Sequence, residues 1–282
     1  MASDLEPTRT IVRGGEQIMT AATTPVSALI YEHEQPPDQV MDPFRLLTYN
    51  IHDFPWIAPP LQEIVTWLTA NADIVALQEV WHRHAAWAAA FAAAGWTFQR
   101  PPREQQLSGL FGSGLALAWR AKDWAVTDVR FSPFLAAVGL DQFANKGWLR
   151  VDFRQIRTGV SFRLINTHMQ SDYDICEELW QPVSHAIRIS QCRELVVAES
   201  RLPPVPTLVV GDFNTDECLL PGGIFLNPQT IPSFPTKEGG GKHLDHVATW
   251  SPEWRLLSHE VATQRIWSDH LPIRWSLMAP SQ

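Results

Sequence analysis

Five times along this chain an apolar run stops abruptly at a cluster of polar, chemically capable side chains. The runs are Leu46-Leu47-Thr48-Tyr49-Asn50-Ile51-His52, Asp73-Ile74-Val75-Ala76-Leu77-Gln78-Glu79-Val80, Leu164-Ile165-Asn166-Thr167-His168, Leu208-Val209-Val210-Gly211-Asp212-Phe213-Asn214 and Ser268-Asp269-His270-Leu271-Pro272-Ile273. A satellite, His243-Leu244-Asp245-His246-Val247, precedes the last. A short continuous apolar run bounded by turn residues reads as a strand covered on both faces. A chain with several such strands must bury them in sheets, and their polar ends then lie at the rim of a hydrophobic scaffold. Rigid elements hold reactive groups there more precisely than loops do.

Between these strands the periodicity turns helical. Pro60–Ala70 carries Leu61, Ile64, Val65 and Leu68 at helical spacing, Arg83–Ala94 is an Ala-rich helix stopped by Gly95, and Glu177–Ser200 is a long helix with Pro182 near its start. Further strands are expected at Ser113–Trp119 and Gly147–Phe153, while Pro221–Gly241, rich in Gly and Pro, reads as loop. The mixture predicts two packed sheets flanked by helices in one domain, residues 43–282. Residues 1–42, polar and without periodicity, are expected to form a mobile extension. With 282 residues, 45% of them apolar, the chain has enough material for a large core.

Composition narrows the function. The net charge of −8 lowers the expectation of a nucleic-acid partner, whose binding is driven by basic surfaces and counterion release. Cys176, Cys192 and Cys218 are odd in number and match no zinc spacing, so they read as ordinary thiols. No sustained apolar run follows a basic start, so neither a secretory signal nor a membrane span is expected, and the default compartment is cytoplasmic. A monomer is expected.

The residue types at the strand ends suit one chemistry. A phosphodiester is anionic and repels hydroxide, and a hard cation held by carboxylate and amide oxygens offsets that charge. Glu79 and Asn50 form the natural pair for Mg2+ or Mn2+. Proton transfer near neutral pH suits histidine, with a carboxylate to fix its tautomer. His270 is the candidate and Asp245 its orienting partner. Adjacent Asp269 would point to the other face of a strand unless the backbone turns there. Asp212 and Asn214, two apart, share a face: the first suits water activation, the second a hydrogen bond to a phosphoryl oxygen. His168 suits stabilisation of developing charge. Singly, each has a bland reading as a turn residue, a cap or a solvated strand end. The ordered set does not.

The motifs TYNIH, LQEV, NTH, GDFN, LDH and SDHLP, in that order from about Phe44 to Leu277, resemble the endonuclease/exonuclease/phosphatase superfamily. That superfamily includes pancreatic deoxyribonuclease, abasic-site endonucleases, inositol polyphosphate 5-phosphatases and neutral sphingomyelinases. The resemblance implies a four-layered α/β sandwich with two central mixed sheets. It also implies metal-site roles for Asn50, Glu79 and Asp269, and catalytic or phosphate-binding roles for His168, Asp212, Asn214, Asp245, Asp269 and His270. Whether Asp212 or His270 is the base stays open. His246 departs from the tyrosine common at its position.

For the substrate, Phe111-Gly112-Ser113-Gly114-Leu115-Ala116-Leu117 and Asn145-Lys146-Gly147-Trp148 resemble the neutral sphingomyelinase branch, with a glycine-rich strand entry and a loop lysine as the plainer reading. Phe134–Leu140 reads either as core or as an apolar loop that touches a bilayer. The favoured expectation is a metal-dependent phosphodiesterase acting on a phospholipid, working at a membrane surface. A nuclease on DNA or RNA is the first alternative. An inositol-phosphate phosphatase is the second, and a catalytically inactive binding scaffold is a third.

Overall fold

A computed structural model describes residues 40–106, 112–172, 177–226, 231–236, 240–264 and 267–280, with backbone alone at 177–180. The first 39 residues of the expected extension, Phe111 and Cys176 lie outside the described residues. Pro37–Gln282 fall in one compact unit.

Among the described residues, fourteen strands make two six-stranded mixed sheets and one two-stranded ribbon, and three α-helices accompany them. In chain order the strands are β1 (Phe44–Asp53), β2 (Ile74–Val80), β3 (Trp96–Gln99), β4 (Ala116–Arg120), β5 (Trp124–Pro133), β6 (Gly147–Gln155), β7 (Ser161–His168), β8 (Thr207–Asp212), β9 (Ile224–Phe225), β10 (Phe234–Pro235), β11 (Gly241–Lys242), β12 (Asp245–Thr249), β13 (Arg255–Val261) and β14 (Ile273–Met278). The helices are α1 (Leu61–Asn71), α2 (His84–Ala93) and α3 (Glu177–Glu199). The first sheet runs β13-β14-β1-β2-β4-β3 and the second β5-β6-β7-β8-β12-β9. Each has a parallel pair at its centre, β1 with β2 and β7 with β8.

Three apolar clusters cement four layers. α1 and α2 cover the first sheet, with Ile64, Leu68, Trp87 and Phe91 against Leu47, Tyr49, Val75 and Leu77. α3 covers the second through Cys192 and Leu195 against Ile165, Val209 and Ala248. Between the sheets lie Leu46, Ile74, Ala76, Leu164, Leu208, Val210 and Val247. Each central strand is thus apolar on both faces, as the continuous runs require. A large apolar side chain is worth about 1.5–3 kcal/mol when buried, so a one-residue slip, which exchanges the two faces, is strongly disfavoured.

The strands without a sequence signal are mostly at the edges. β3 and β13 border the first sheet, while β5 and β9 border the second. Only Trp124 and Phe131 of β5 are buried, and only Val261 of β13. An edge strand half open to water needs no apolar run. The segment read as loop, Pro221–Gly241, is corrected in part: it holds the two-residue strands β9 and β10.

Candidate active site

Down the slot between the sheets, the inward side chains change character toward one end. On β1 they run Leu46, Thr48, Asn50, on β7 Leu164, Asn166, His168, and on β8 Leu208, Val210, Asp212. Thr48, Asn50, Asn166, His168 and Asp212 are all buried. Register aligns the reactive ends: His168 pairs with Asp212 across the parallel β7–β8 ladder, and Asp212 with Asp245 across the antiparallel β8–β12 ladder. Gly211 makes the close approach possible. It has φ of 138°, and a Cβ there would sit 2.0 Å from the Thr167 carbonyl oxygen.

Asp245 Oδ2 lies 2.7 Å from His270 Nδ1, and His270 Nε2 lies 3.7 Å from Asp212 Oδ2. All three side chains are buried. Burial pushes the His270 pKa down, but the Asp245 and Asp212 carboxylates outweigh it and raise it to about 10. Burial raises Asp212 to about 7, against the lowering effect of the His270 charge. These three residues each bring one ligand-capable atom within 4.8 Å of the others, so the described residues contain an acidic cluster able to take a cation.

Asn50 adjoins that cluster. Its Nδ2 donates to Glu79 Oε1 at 3.1 Å and to Asp212 Oδ2 at 3.0 Å, tying the two sheets together. Glu79 has φ of 57° and Asn214 φ of 52°. The left-handed region is rare for Glu, and this conformation turns its carboxylate out of the strand pattern toward Asn50. His52 Nδ1 stands 3.4 Å from Glu79 Oε2 and 3.3 Å from Asp269 Oδ1, so both carboxylates converge on one imidazole, whose pKa the Asp269 hydrogen bond raises against the effect of burial. Asp269 is pushed up by burial, yet the His52 hydrogen bond and the His270 charge bring it down to about 2. It faces His52 rather than serving as the Nδ1 partner of His270. Glu79 and Asp269 bring carboxylate oxygens together beside Asn50, whose Oδ1 accepts from the His52 amide at 3.3 Å, and hard oxygens of this kind suit a small divalent cation.

The opposite wall holds His168, Asn214 and Lys146. His168 Nε2 is 3.5 Å from Asp212 Oδ2 and 3.1 Å from Lys146 Nζ. A lysine only donates, so Nε2 accepts and Nδ1 carries the hydrogen. Burial and the Lys146 charge hold the His168 pKa well below normal, in keeping with a neutral ring. Lys146 is itself buried, paired with Asp141 Oδ2 at 3.0 Å and donating to the Met169 carbonyl at 2.8 Å. Asn214 Nδ2 donates to the same carbonyl at 3.0 Å. A cleft of roughly 460 Å3, lined by Asn214, Arg188, His185 and Lys242 among others, opens beside it.

Every residue singled out from the strand ends therefore reaches this one slot. His246 turns away: it stacks on Phe225 at 3.8 Å, and its Nε2 lies 2.9 Å from the Thr215 carbonyl oxygen and 2.7 Å from that of His243. Sequence reasoning missed His52 and left Lys146 as a possible loop residue. Both stand inside motifs quoted above, TYNIH and Asn145-Lys146-Gly147, but neither follows a long apolar run directly enough to stand out.

A two-sheet α/β sandwich whose central strands end in such a slot defines a class of phosphoester hydrolases. The chain belongs to the Endonuclease/Exonuclease/phosphatase family, whose model matches residues 47–270. No curated protein matches it in sequence. Among solved structures it is similar to a Staphylococcus aureus beta toxin mutant with bound magnesium ions (TM-score 0.67, 18% identity, covering 83% of this chain and 99% of that one). It is also similar to sphingomyelinase C from Streptomyces griseocarneus (0.62, 19%, 84% and 99%) and to D. rerio TDP2 complexed with single strand DNA product (0.63, 15%, 84% and 99%). Identities this low speak to the fold alone.

Proposed function

We propose that this protein is a divalent-metal-dependent phosphodiesterase acting on phospholipid headgroup esters at a membrane surface. The observation that carries the reading is the buried Asp212–His270–Asp245 chain, 3.7 and 2.7 Å between partners, facing the Asn50–Glu79 pair across one slot. Glu79, Asn50 and Asp269 would hold Mg2+ or Mn2+. When bound, the ion would neutralise phosphoryl charge.

The roles of the chain's own groups follow from their charge states. His270, flanked by two carboxylates, is already protonated at neutral pH and donates to the phosphoryl or leaving oxygen. Asp212, raised to about 7 by burial, has the affinity to take a proton from water. Asp245 holds the His270 ring with its Nε2 toward Asp212. On the other wall Asn214 supplies an N–H donor to the remaining phosphoryl oxygens, and Lys146, which shares the Met169 carbonyl with it, supplies a buried positive charge behind His168.

The lipid assignment rests on the rim. Phe134 is core, but Leu135 is 86% exposed, Leu140 72% and Phe143 51%, and Trp56 is 75% exposed. The two groups lie on one connected edge. Trp56 stacks on Phe54, Phe54 meets Trp81, Trp81 covers Gly114, and the Gly112 carbonyl accepts from the Asn145 amide. Exposed apolar residues gathered around a phosphate-handling slot, on a chain of net charge −8, favour an apolar substrate surface over a polyanion. Sphingomyelinase C shares the fold and lends support to the lipid, the beta toxin with its magnesium ions lends support to the metal, and TDP2, with its DNA product, keeps nucleic acid in the test.

The deciding experiment is a panel with added Mg2+ covering sphingomyelin, lysophospholipids, plasmid DNA, RNA and inositol phosphates. Turnover of a phospholipid, lost with EDTA and in His270→Ala, is expected. Preferential cleavage of DNA or RNA overturns the lipid assignment, and full turnover in excess EDTA removes the metal.

A further inference from the structure

One layer below the reactive groups, the slot holds a second polar layer with no part in the chemistry above. Thr48, Gln78 and Asn166 are each 0% exposed. Gln78 Nε2 donates to Asn166 Oδ1 at 2.7 Å, from the first sheet to the second, and lies 3.0 Å from Thr48 Oγ1. Asn166 Nδ2 returns across the gap, donating at 2.9 Å to the carbonyls of both Leu77 and Ala116. Leu77 and Ala116 form the last pair of the β2–β4 ladder. Past this pair the ladder turns irregular and is taken up again by the Val80 amide on the Gly114 carbonyl at 2.8 Å, and Asn166 caps the carbonyls of the last regular pair.

The placement is specific. Gln78 immediately precedes Glu79, whose φ of 57° is a strained conformation for Glu and must be held by its surroundings. Asn166 stands two residues before His168 on the same inward face of β7. Apolar contacts between sheets are non-directional and tolerate sliding, whereas three buried hydrogen bonds between two carboxamides and two carbonyls do not. An apolar pair of similar volume would serve cohesion as well, because burying amides brings little net stability.

We propose that the Gln78–Asn166 pair is a positioning clamp that sets the spacing between the Glu79-bearing sheet and the His168- and Asp212-bearing sheet. It rests on the phosphodiesterase reading and adds to it a determinant outside the reacting groups. Because a misplacement near 1 Å can cost on the order of 100-fold in rate, the clamp acts through kcat and through the cation site that Glu79 helps build.

The test compares Gln78→Met, near-isosteric and unable to bridge, with Thr48→Val, which removes a hydrogen bond in the same layer but within one sheet. Both are measured in the full chain, at a temperature where melting curves show full folding. Gln78→Met is expected to lose about 10- to 100-fold in kcat, with KM changed less, and to bind Mn2+ several-fold more weakly by calorimetry without substrate. Thr48→Val is expected to lower Tm while keeping kcat and Mn2+ affinity within about two-fold. If Gln78→Met instead behaves like Thr48→Val, the pair is merely structural and the inference fails. If the unmodified protein turns over nothing in the panel, the phosphodiesterase reading fails instead, and Mn2+ calorimetry decides alone: unchanged affinity in Gln78→Met overturns the clamp.

Discussion

Replacing Asp245 with Asn isolates what its negative charge does. The amide keeps the shape and can still accept from His270 Nδ1 across the present 2.7 Å. A hydrogen bond to a charged group contributes about 1.5–3 kcal/mol and a neutral one about 0.5–1.5, so the exchange forfeits about 1–1.5 kcal/mol of imidazolium stabilisation. That equals roughly one pKa unit. In the wild type, His270 is raised to about 10 and Asp212 to about 7, so activity is expected to rise through about pH 7 and to fall near pH 10. Without the Asp245 charge the alkaline limb moves down by about one unit. The acid limb also moves down, because Asp245 is one of the groups raising Asp212. kcat is expected to fall by about 10²- to 10⁴-fold, the scale on which general acids and their orienting carboxylates act. Stability changes far less, by about 1 kcal/mol or a few degrees in Tm, since relief of the Asp245–Asp212 repulsion offsets part of the loss. Linkage gives an independent readout. A histidine whose folded pKa exceeds the unfolded value near 6.5 stabilises fully below that pH and loses its contribution as pH rises toward 10. The stability–pH slope between 7 and 10 should therefore flatten in Asp245→Asn. A variant that keeps kcat within three-fold and leaves both limbs in place would refute the roles given to Asp245 and His270.

Gly211→Ala places a methyl against the Thr167 carbonyl oxygen at a φ that alanine resists. It should cost about 3 kcal/mol or more, lowering Tm by about 10 °C, and an unchanged melting curve would contradict the close β7–β8 approach. Lys146→Met removes the positive charge beside His168 and the ion pair with Asp141. kcat should fall at least about 100-fold, while Lys146→Arg, too large for the buried site, should not restore it; full activity in Lys146→Met would place the lysine outside the reaction. The triple change Leu135→Ser, Leu140→Ser and Phe143→Ser should leave Tm within about two degrees but weaken sedimentation with phosphatidylcholine–sphingomyelin vesicles at least ten-fold. Unchanged vesicle binding would return this loop to an ordinary exposed segment.

How much was readable in advance follows from where each residue sits relative to the core. Central strands β1, β2, β7, β8 and β12 are covered on both faces, so burial wrote itself into continuous apolar runs, and their polar ends marked Asn50, Glu79, His168, Asp212 and Asp245. Edge strands such as β5 and β13 answer to water on one side and left no such trace. His52 and Lys146 were hidden for a different reason. Each reaches the site where regular strand geometry is interrupted: His52 from the irregular stretch of β1 between Asn50 and Asp53, with a left-handed backbone at φ 48°, and Lys146 from the residue before β6. Spacing along a strand carries no information about either. Gln78 and Asn166 were visible as motif letters, yet their pairing across the gap depends on how two sheets stack, which strand periodicity does not encode.

The same reasoning explains why the reactive groups occupy one end of the slot and not its middle. A carboxylate buried between two apolar sheets faces a desolvation cost of several kcal/mol, and only dense hydrogen bonding or a cation offsets it. At the middle of the slot the polar groups are neutral carboxamides, Gln78 and Asn166, which are satisfied by one another and by the carbonyls of Leu77 and Ala116 and carry no charge to desolvate. Beyond the last ladder pairs the backbone is freed. The Asn214 amide donates to Asp212 Oδ1, and the Ser233 hydroxyl receives the amides of Leu244 and Asp245. Charge density therefore rises where the sheets part, from Leu46 through Thr48 to Asn50 and from Leu164 through Asn166 to His168. A phosphate and its cation meet the protein at the one depth where buried carboxylates can be held both ionised and in place.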